Sequence, residues 1–390
     1  MIPYGRQSIN FSDVFGVAKQ VAFRSLTQGT RIPEFEQNFA NYVGSKYAVA
    51  VSSATAGLHL AVLAIELIPN SQIITSPISF VASSNAILYS KHRPLFIDID
   101  KSSLNLDMKL VEQELNSNSL VKAIIPVHFA GLPCEMEQLA KLCNSKGIKI
   151  IEDAAHALGA RYASGKKVGS CEFSDMTVFS FHPVKSITTG EGGMITTNSA
   201  ELYKKLLRLR SHGINKLDDE FQLPLQASTK GVPNPWYYEM QELGFNYRMT
   251  EIQATLGISQ LKRLSRFVQK RQSRVVWYQE ALNPSLKFKP AQNTSTNTSA
   301  HHIFPIRIDF SKIMISRADL MKILKDRSVG SQVHYMPIPL HPYYQKLGYN
   351  VDKLPEAMSY YNEALTIPLY PNLKRFKQKR IVKILKEVIQ

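Results

Sequence analysis

Two residues stand where they can do chemistry, Lys185 and Asp153. Lys185 follows Thr177–Phe181, a run of apolar and β-branched residues that reads as a buried strand. It precedes a glycine-rich stretch, Thr188-Thr189-Gly190-Glu191-Gly192-Gly193. An amine held between a core strand and such a loop is desolvated. Its pKa falls, which is what a lysine that forms a Schiff base requires. Taken alone, Lys185 also reads as a strand-end charge pointing to water.

Asp153 closes the apolar segment Ile150-Ile151-Glu152-Asp153. An unpaired carboxylate at the end of such a strand is costly, so it needs a cationic partner. Two readings stand side by side: a cap for the next helix, or a counter-charge to the protonated ring nitrogen of pyridoxal phosphate. His156 lies three residues on, facing the same group or simply packed.

The elements that must position these residues alternate. Residues 11–25 and 33–43 read as helices, 46–52 as a strand and 54–67 as a helix. Residues 72–76, 94–98, 121–127 and 149–152 then read as strands, and 80–89, 108–115 and 136–146 as helices. This pattern predicts a mostly parallel sheet with helices on both faces, whose ligands bind beyond the carboxyl ends of the strands. Ser53-Ala54-Thr55, Ser76–Phe80, Val127–Gly131, Asp153–His156 and Ser180–Lys185 all fall there. Ala54 and Thr55 open a helix, a place suited to a phosphate, or to an ordinary hydroxyl cap at Ser53.

Beyond residue 248 the chain changes character. Residues 248–282 predict one long helix, 291–300 an exposed polar loop, 302–308 and 332–335 strands, and 317–326 a helix. Residues 215–235 predict a mobile loop near the site.

The net charge of +16 on 390 residues admits nucleic acid or small anionic substrates as partners. The basic runs at Lys262–Arg274 and Lys374–Lys386 are interleaved with apolar residues at helical spacing. They read as the wet faces of amphipathic helices, with no nucleic-acid-binding signature beside them. Three cysteines without metal-ligand spacing predict a reduced, cytoplasmic setting and no metal. No signal peptide and no membrane-spanning run are expected.

The segments SSATAGLHL, TSPISFVASSNA, IPVHFAG, IEDAAHALGA, FSFHPVKSITTGEGGM, LRSHGI and LGFNYRMTEIQATLGISQL together resemble the DegT/StrS-type sugar-nucleotide aminotransferases. The resemblance runs from the N-terminus to about Pro371. Ile2-Pro3-Tyr4, Leu26-Thr27-Gln28-Gly29 and Val333-His334-Tyr335 match the branch that aminates C4 of UDP-linked 4-keto sugars on the way to pseudaminic acid.

The resemblance implies a pyridoxal-phosphate-dependent transferase of fold type I. Residues 1–250 would form a large α/β domain with a mostly parallel seven-stranded sheet, and 251–390 a connecting helix and a small α/β domain. Lys185 would bind the cofactor aldehyde and carry protons, Asp153 would hold the pyridinium, and His156 would sit by the ring. Phe80 would stack on the ring, and Ala54, Thr55 and Ser180 would contact its phosphate. Asn246 would reach the phosphate in a neighbouring subunit, because the family is dimeric with shared sites.

Tyr4, Arg24, Ser25, Leu26, Thr27, Ala54, Ser180, Asn246, Val333, His334 and Tyr335 would contact the nucleotide sugar. The implied reaction moves an amino group from L-glutamate to a UDP-4-keto-6-deoxy-N-acetylhexosamine, giving UDP-4-amino-4,6-dideoxy-N-acetyl-β-L-altrosamine for a surface glycan. The alternative is C4 or C3 amination of a GDP- or dTDP-linked keto sugar. Related dehydratases carry a histidine at the lysine position, so Lys185 favours transamination.

Overall fold

The computed structural model describes residues 1–216, 221–282, 288–292 and 298–389. The chain opens with helices α1 (Phe11–Phe23) and α2 (Arg31–Val43). A capping box starts α1: Asn10 Oδ1 accepts the Asp13 N–H and the Asp13 carboxylate accepts the Asn10 N–H. Gly44 ends α2 with a φ of 89°, a left-handed turn that suits glycine.

Strands and helices then alternate: β1 (Tyr47–Val51), α3 (Ala54–Ala64), β2 (Gln72–Thr75), α4 (Ala82–Tyr89), β3 (Arg93–Phe96), α5 (Met108–Ser117) and β4 (Val121–Ile125). After them come α6 (Met136–Asn144), β5 (Lys149–Asp153), β6 (Met176–Ser180), β7 (Gly193–Thr197) and α7 (Ala200–Arg210). The seven strands form one sheet in the order β1-β7-β6-β5-β4-β2-β3. Every pair from β6 to β3 is parallel, and β7 alone runs against its neighbours β6 and β1. The mostly parallel sheet expected from the alternation is present.

Side chains leave the sheet alternately on its two faces. Ala48, Ala50 and Phe179 face Phe35 and Phe39 of α2, Val111 of α5 and Leu139 of α6. Val49, Val51 and Val178 face Leu58 of α3, Ala86 of α4 and Leu206 of α7. Helices cover both faces, so β6 and β7 are buried along their whole length.

Two small ladders follow, β8 (Ile214–Asn215) with β11 (Glu239–Met240) and β9 (Ser228–Thr229) with β10 (Val232–Pro233). Of these, β9 and β10 fall inside the segment 215–235 expected as a mobile loop, of which 217–220 lie outside the described residues. The single long helix expected over 248–282 is two, α8 (Glu251–Leu261) and α9 (Leu264–Leu282). At the break the Arg263 N–H donates to Gln260 O, and both side chains turn to the buried Asp13 carboxylate. That acid in α1 thus meets side chains from both sides of the break.

A second, antiparallel sheet holds β12 (Phe288–Pro290), β13 (Phe304–Ile308) and β14 (Ala364–Ile367). Around it lie α10 (Arg317–Asp326), α11 (Pro342–Lys346), α12 (Pro355–Glu363) and α13 (Arg375–Ile389). Its core joins Ile306, Leu320, Leu365 and Leu385 to Val275, Tyr278 and Leu282 of α9, and also takes in Ile2. Met249, Ala254, Ile258 and Phe267 enter the core of the large sheet.

Two expectations fail here. Residues 332–335 are not a strand: only Gln332 bridges to Thr366. His334 Nδ1 instead meets Thr366 Oγ1 at 2.9 Å and Tyr360 Oη donates to His334 O at 2.7 Å, so side chains take the place of a ladder. The polar stretch 291–300 is not simply exposed, since Ala291, Ser299 and Ala300 are buried; 293–297 lie outside the described residues. Among the described residues no helix is long and apolar enough to cross a membrane.

Candidate active site

The carboxyl ends of β1, β2, β5 and β6 open onto a cavity of about 700 Å³. Lys185, Asp153, His156, Ser180, Ala54, Thr55 and Phe80 all line it. So do Tyr4, Val333, His334 and Tyr335, which arrive from the N-terminus and from the segment beside the second sheet.

The lysine is carried on a clamped turn. Its N–H donates to His182 O at 2.9 Å, the Thr189 N–H and Thr188 Oγ1 both donate to Phe181 O, and Thr189 Oγ1 donates to Glu191 O at 2.6 Å. Gly192 has no room for a side chain: a Cβ would lie 2.3 Å from Thr189 Oγ1. Lys185 keeps partial exposure through the cavity mouth, yet the protein around it pushes its pKa down from 10.5 to about 8. Burial is the main cause, and the Asp153 charge pulls partly the other way.

Asp153 is 6% exposed at the end of β5. Its Oδ2 accepts Ser83 Oγ from α4 at 2.6 Å and its Oδ1 accepts the Ala155 N–H at 3.1 Å. No helix follows β5, so the cap reading fails: the Ala155 amide that Asp153 accepts belongs to a turn, and the carboxylate faces the cavity.

His156 packs against His302 with ring centroids 4.4 Å apart, and its Nε2 meets Tyr335 Oη at 3.2 Å. Burial, then the charges of Lys185 and His334, hold the pKa of His156 well below 6.5, so its imidazole is neutral. Burial likewise takes His334 down to about 3. Among the described residues His156 Nδ1 is buried without a hydrogen-bond partner.

At the other wall, Ser53 caps α3 by accepting the Ala56 N–H at 3.1 Å. The amides of Ala54 and Thr55 precede the first intrahelical bonds, and such amides bind anions. A Cβ on Gly193 would lie 2.7 Å from Ala54 N, so glycine lets β7 press against this helix start.

The cavity thus offers anion-binding amides, an aromatic face at Phe80 (60% exposed), a weakened amine, a carboxylate and an unpartnered imidazole nitrogen. These features fit a phosphorylated pyridine aldehyde. Among the described residues no group of three or more His, Cys, Asp or Glu could hold a metal.

Not every sequence-predicted site residue is here. Arg24, Ser25, Leu26 and Thr27 are exposed on the loop after α1, and Asn246 is exposed beside Ser211; none of them lines this cavity. Conversely, sequence reasoning missed Ser83 and His302. Ser83 is one of five serines between 76 and 90, and His302 sits in an unpatterned His301-His302 pair, so neither carried a signal.

Sequence reasoning also missed the residue beside Asp153. Glu152 points to the opposite face of the sheet and is fully buried. Its carboxylate meets His128 Nε2 at 2.6 Å and accepts Tyr162 Oη at 2.7 Å, Ser174 Oγ at 2.5 Å and Thr177 Oγ1 at 2.8 Å. His128 Nδ1 accepts the Cys134 N–H, which leaves the imidazole proton on Nε2 toward Glu152. Burial raises the pKa of Glu152, but these donors outweigh it and the net shift is downward.

With this geometry in view, comparison with known proteins is informative. A profile of the DegT/DnrJ/EryC1/StrS aminotransferase family matches residues 15–386. The UDP-4-amino-4,6-dideoxy-N-acetyl-β-L-altrosamine transaminase of Campylobacter jejuni is 36% identical over 393 residues, 100% of this chain and 98% of that relative. Among solved structures, Helicobacter pylori PseC, an aminotransferase of pseudaminic acid biosynthesis, superposes with a TM-score of 0.90 at 32% identity, covering 100% of this chain and 99% of that one. The PLP form of the sugar aminotransferase Spr1654 of Streptococcus pneumoniae superposes with a TM-score of 0.87 at 26% identity, covering 100% of both chains. The chain belongs to the DegT/DnrJ/EryC1/StrS aminotransferase family, and it is a pyridoxal-phosphate-dependent transaminase.

Proposed function

We propose that this member of the DegT/DnrJ/EryC1/StrS aminotransferase family moves an amino group from L-glutamate to C4 of a UDP-linked 4-keto-6-deoxy-N-acetylhexosamine. The product is UDP-4-amino-4,6-dideoxy-N-acetyl-β-L-altrosamine, a precursor of pseudaminic acid. One observation carries the chemistry: the Lys185 amine and the Asp153 carboxylate enter a single cavity. The choice of sugar is supported by the names of the Campylobacter and Helicobacter relatives.

Pyridoxal phosphate, when bound, supplies an aldehyde that accepts amines and a ring that delocalises the electrons left at the donor carbon. The residues of this chain do the rest. The Ala54 and Thr55 amides and Ser180 Oγ would bind the phosphate, and Phe80 would cover one face of the ring. Asp153, oriented by Ser83, would hold positive charge on the ring nitrogen. Lys185 Nζ would hold the aldehyde, and its free amine would take a proton from the donor carbon and return one at C4 of the sugar. His156 stays neutral beside the ring, its orientation held by Tyr335. Tyr4, Val333 and His334 form the sugar side of the cavity.

A second copy of the chain completes the site in this proposal. Lys185 is the only lysine or arginine among the described residues lining the cavity, although a UDP-sugar brings a diphosphate. Arg24 and Asn246 are exposed elsewhere, and Phe11, Phe15 and Phe23 of α1 stand 80%, 59% and 80% exposed. Such an outward apolar face is costly on a monomer. The two halves of the proposal call for the outer residues of one copy at the cavity of the other.

The test is incubation with candidate nucleotide keto sugars, L-glutamate and pyridoxal phosphate, with product structure read by NMR. Amination at C4 of the UDP sugar supports the reading. Amination at C3, or turnover only of GDP- or dTDP-linked sugars, refutes the substrate assignment. Loss of turnover in Lys185→Ala, with the fold retained, is the expected control.

A further inference from the structure

We propose that Glu251 is a positioning residue that binds the loop 24–29 and the segment 246–250 into one rigid unit, presented to the cavity of a second copy. The inference rests on the shared-site reading above.

Glu251 is the first residue of α8 and is 1% exposed. Its own N–H donates to Leu26 O at 2.9 Å. Its Oε1 accepts the Gly29 N–H at 2.9 Å and the Ile32 N–H at 3.4 Å, and its Oε2 accepts the Arg31 N–H at 2.7 Å. The Arg31 bond joins residues 220 apart in sequence. Thr30, the residue at the cap of α2, makes no side-chain cap, so a carboxylate from another helix satisfies the free amides and the positive end of α2.

The same helix secures the loop a second time. Thr255 Oγ1 donates to Gln20 Oε1 at 3.2 Å, and Gln20 Nε2 donates to Ser25 O at 2.7 Å. On its other side α8 continues directly from residues 246–250, whose neighbourhood is held to the end of α7. Thr250 and Gln253 form a capping box, the Phe245 and Tyr247 amides donate to Leu209 O and Arg210 O, and Gln253 Nε2 donates to Glu191 O at 2.8 Å. Glu191 lines this copy's own cavity.

The first turn of α8 therefore ties the exposed Arg24–Thr27 loop to the glycine-rich loop after Lys185, and the chain runs into it directly from the exposed Asn246. Thr30 has a helical backbone (φ −92°, ψ −13°), which keeps a local side chain from capping α2. The carboxylate sent from α8 takes that role and also fixes where the loop stands relative to Asn246. Ordering the loop before binding spares the sugar that cost.

Three measurements test this. In Glu251→Gln one oxygen becomes an amide that cannot accept. Hydrogen exchange of the Gly29, Arg31 and Ile32 amides is expected to accelerate, and the KM for the nucleotide sugar to rise roughly tenfold with a smaller change in kcat. Gly29→Ala disturbs the same contact from the other side, since its Cβ would lie 2.9 Å from Glu251 Oε2, and it replaces Glu251→Gln should that variant not fold.

Mixing Lys185→Ala chains with Glu251→Gln chains is the third test. Random pairing makes half of the dimers mixed, each with one cavity of intact Lys185 served by an intact loop. At low sugar concentration about a quarter of the wild-type activity is expected to return. Unchanged amide exchange, a wild-type KM, or a mixture no more active than its components would each overturn the proposal. If the wild-type protein turns over no nucleotide keto sugar, the functional reading fails, and amide exchange still decides whether Glu251 orders the loop.

Discussion

Lys185 predicts how the enzyme without cofactor responds to pH. Burial pushes its amine from 10.5 to about 8. At about pH 7 an amine of pKa about 8 is roughly one-tenth neutral, whereas an ordinary lysine is neutral about once in three thousand. The nucleophilic form is thus roughly three-hundredfold more abundant at Lys185 than at a surface lysine. Arylation of Lys185 by fluorodinitrobenzene, followed peptide by peptide, is expected to rise about tenfold per pH unit and to level off above about pH 8. Surface lysines should still be climbing about two pH units higher.

Asp153→Asn removes the one charge that raises this amine, so the plateau is expected to begin at a lower pH. The same shift has a sign for stability. The folded-state pKa lies below the unfolded value, so the folded state binds fewer protons between about pH 8 and 10.5, and stability rises with pH across that window. The penalty is fully present below about pH 8. A reactivity midpoint for Lys185 at or above about pH 10, or an upward movement in Asp153→Asn, would refute the argument that burial governs this amine.

Other perturbations give equally definite outcomes. Ser83→Ala removes the 2.6 Å donor to Asp153, a charge-assisted bond worth about 1.5–3 kcal/mol. It is expected to lower kcat about tenfold with little change in Tm, and a wild-type kcat would show that Ser83 does not matter to Asp153. Tyr162→Phe takes one donor from buried Glu152 and should cost about 1–3 kcal/mol by urea denaturation, with the cofactor spectrum unchanged. Gly193→Ala places a Cβ 2.7 Å from the Ser53 carbonyl carbon and Ala54 N. It is expected to weaken pyridoxal phosphate binding at least tenfold in a cofactor titration by displacing the start of α3.

Much of the large sheet was legible because a buried parallel strand and its amphipathic helix leave different periods in sequence. That Lys185 and Asp153 would meet in one cavity was legible for a related reason: both are ionisable residues at the ends of apolar strands, where an unpaired charge is costly. What escaped was tertiary. Nothing local to 261–264 announces that Gln260 and Arg263 will meet Asp13 across a break, and nothing local to 332–335 announces that Thr366 and Tyr360 will claim that backbone. Ser83 and Glu251 are silent for the same reason, since each acts on residues 70 and 220 positions away. Arg24 and Asn246 were named by family resemblance alone, and they lie outside the cavity of their own chain.

Glu152 and Asp153 stand next to each other on β5, and their side chains leave on opposite sides. Two neighbouring acids with such different surroundings act as a key for strand alignment during folding. Were β5 to zip one position out of step, the acid at the cavity would turn toward the Tyr162 phenol and the Ser174 and Thr177 hydroxyls. The other acid would meet apolar helices with no donor at hand. Every off-by-one pairing with β4 or β6 thus strands an anion, and only one alignment places both.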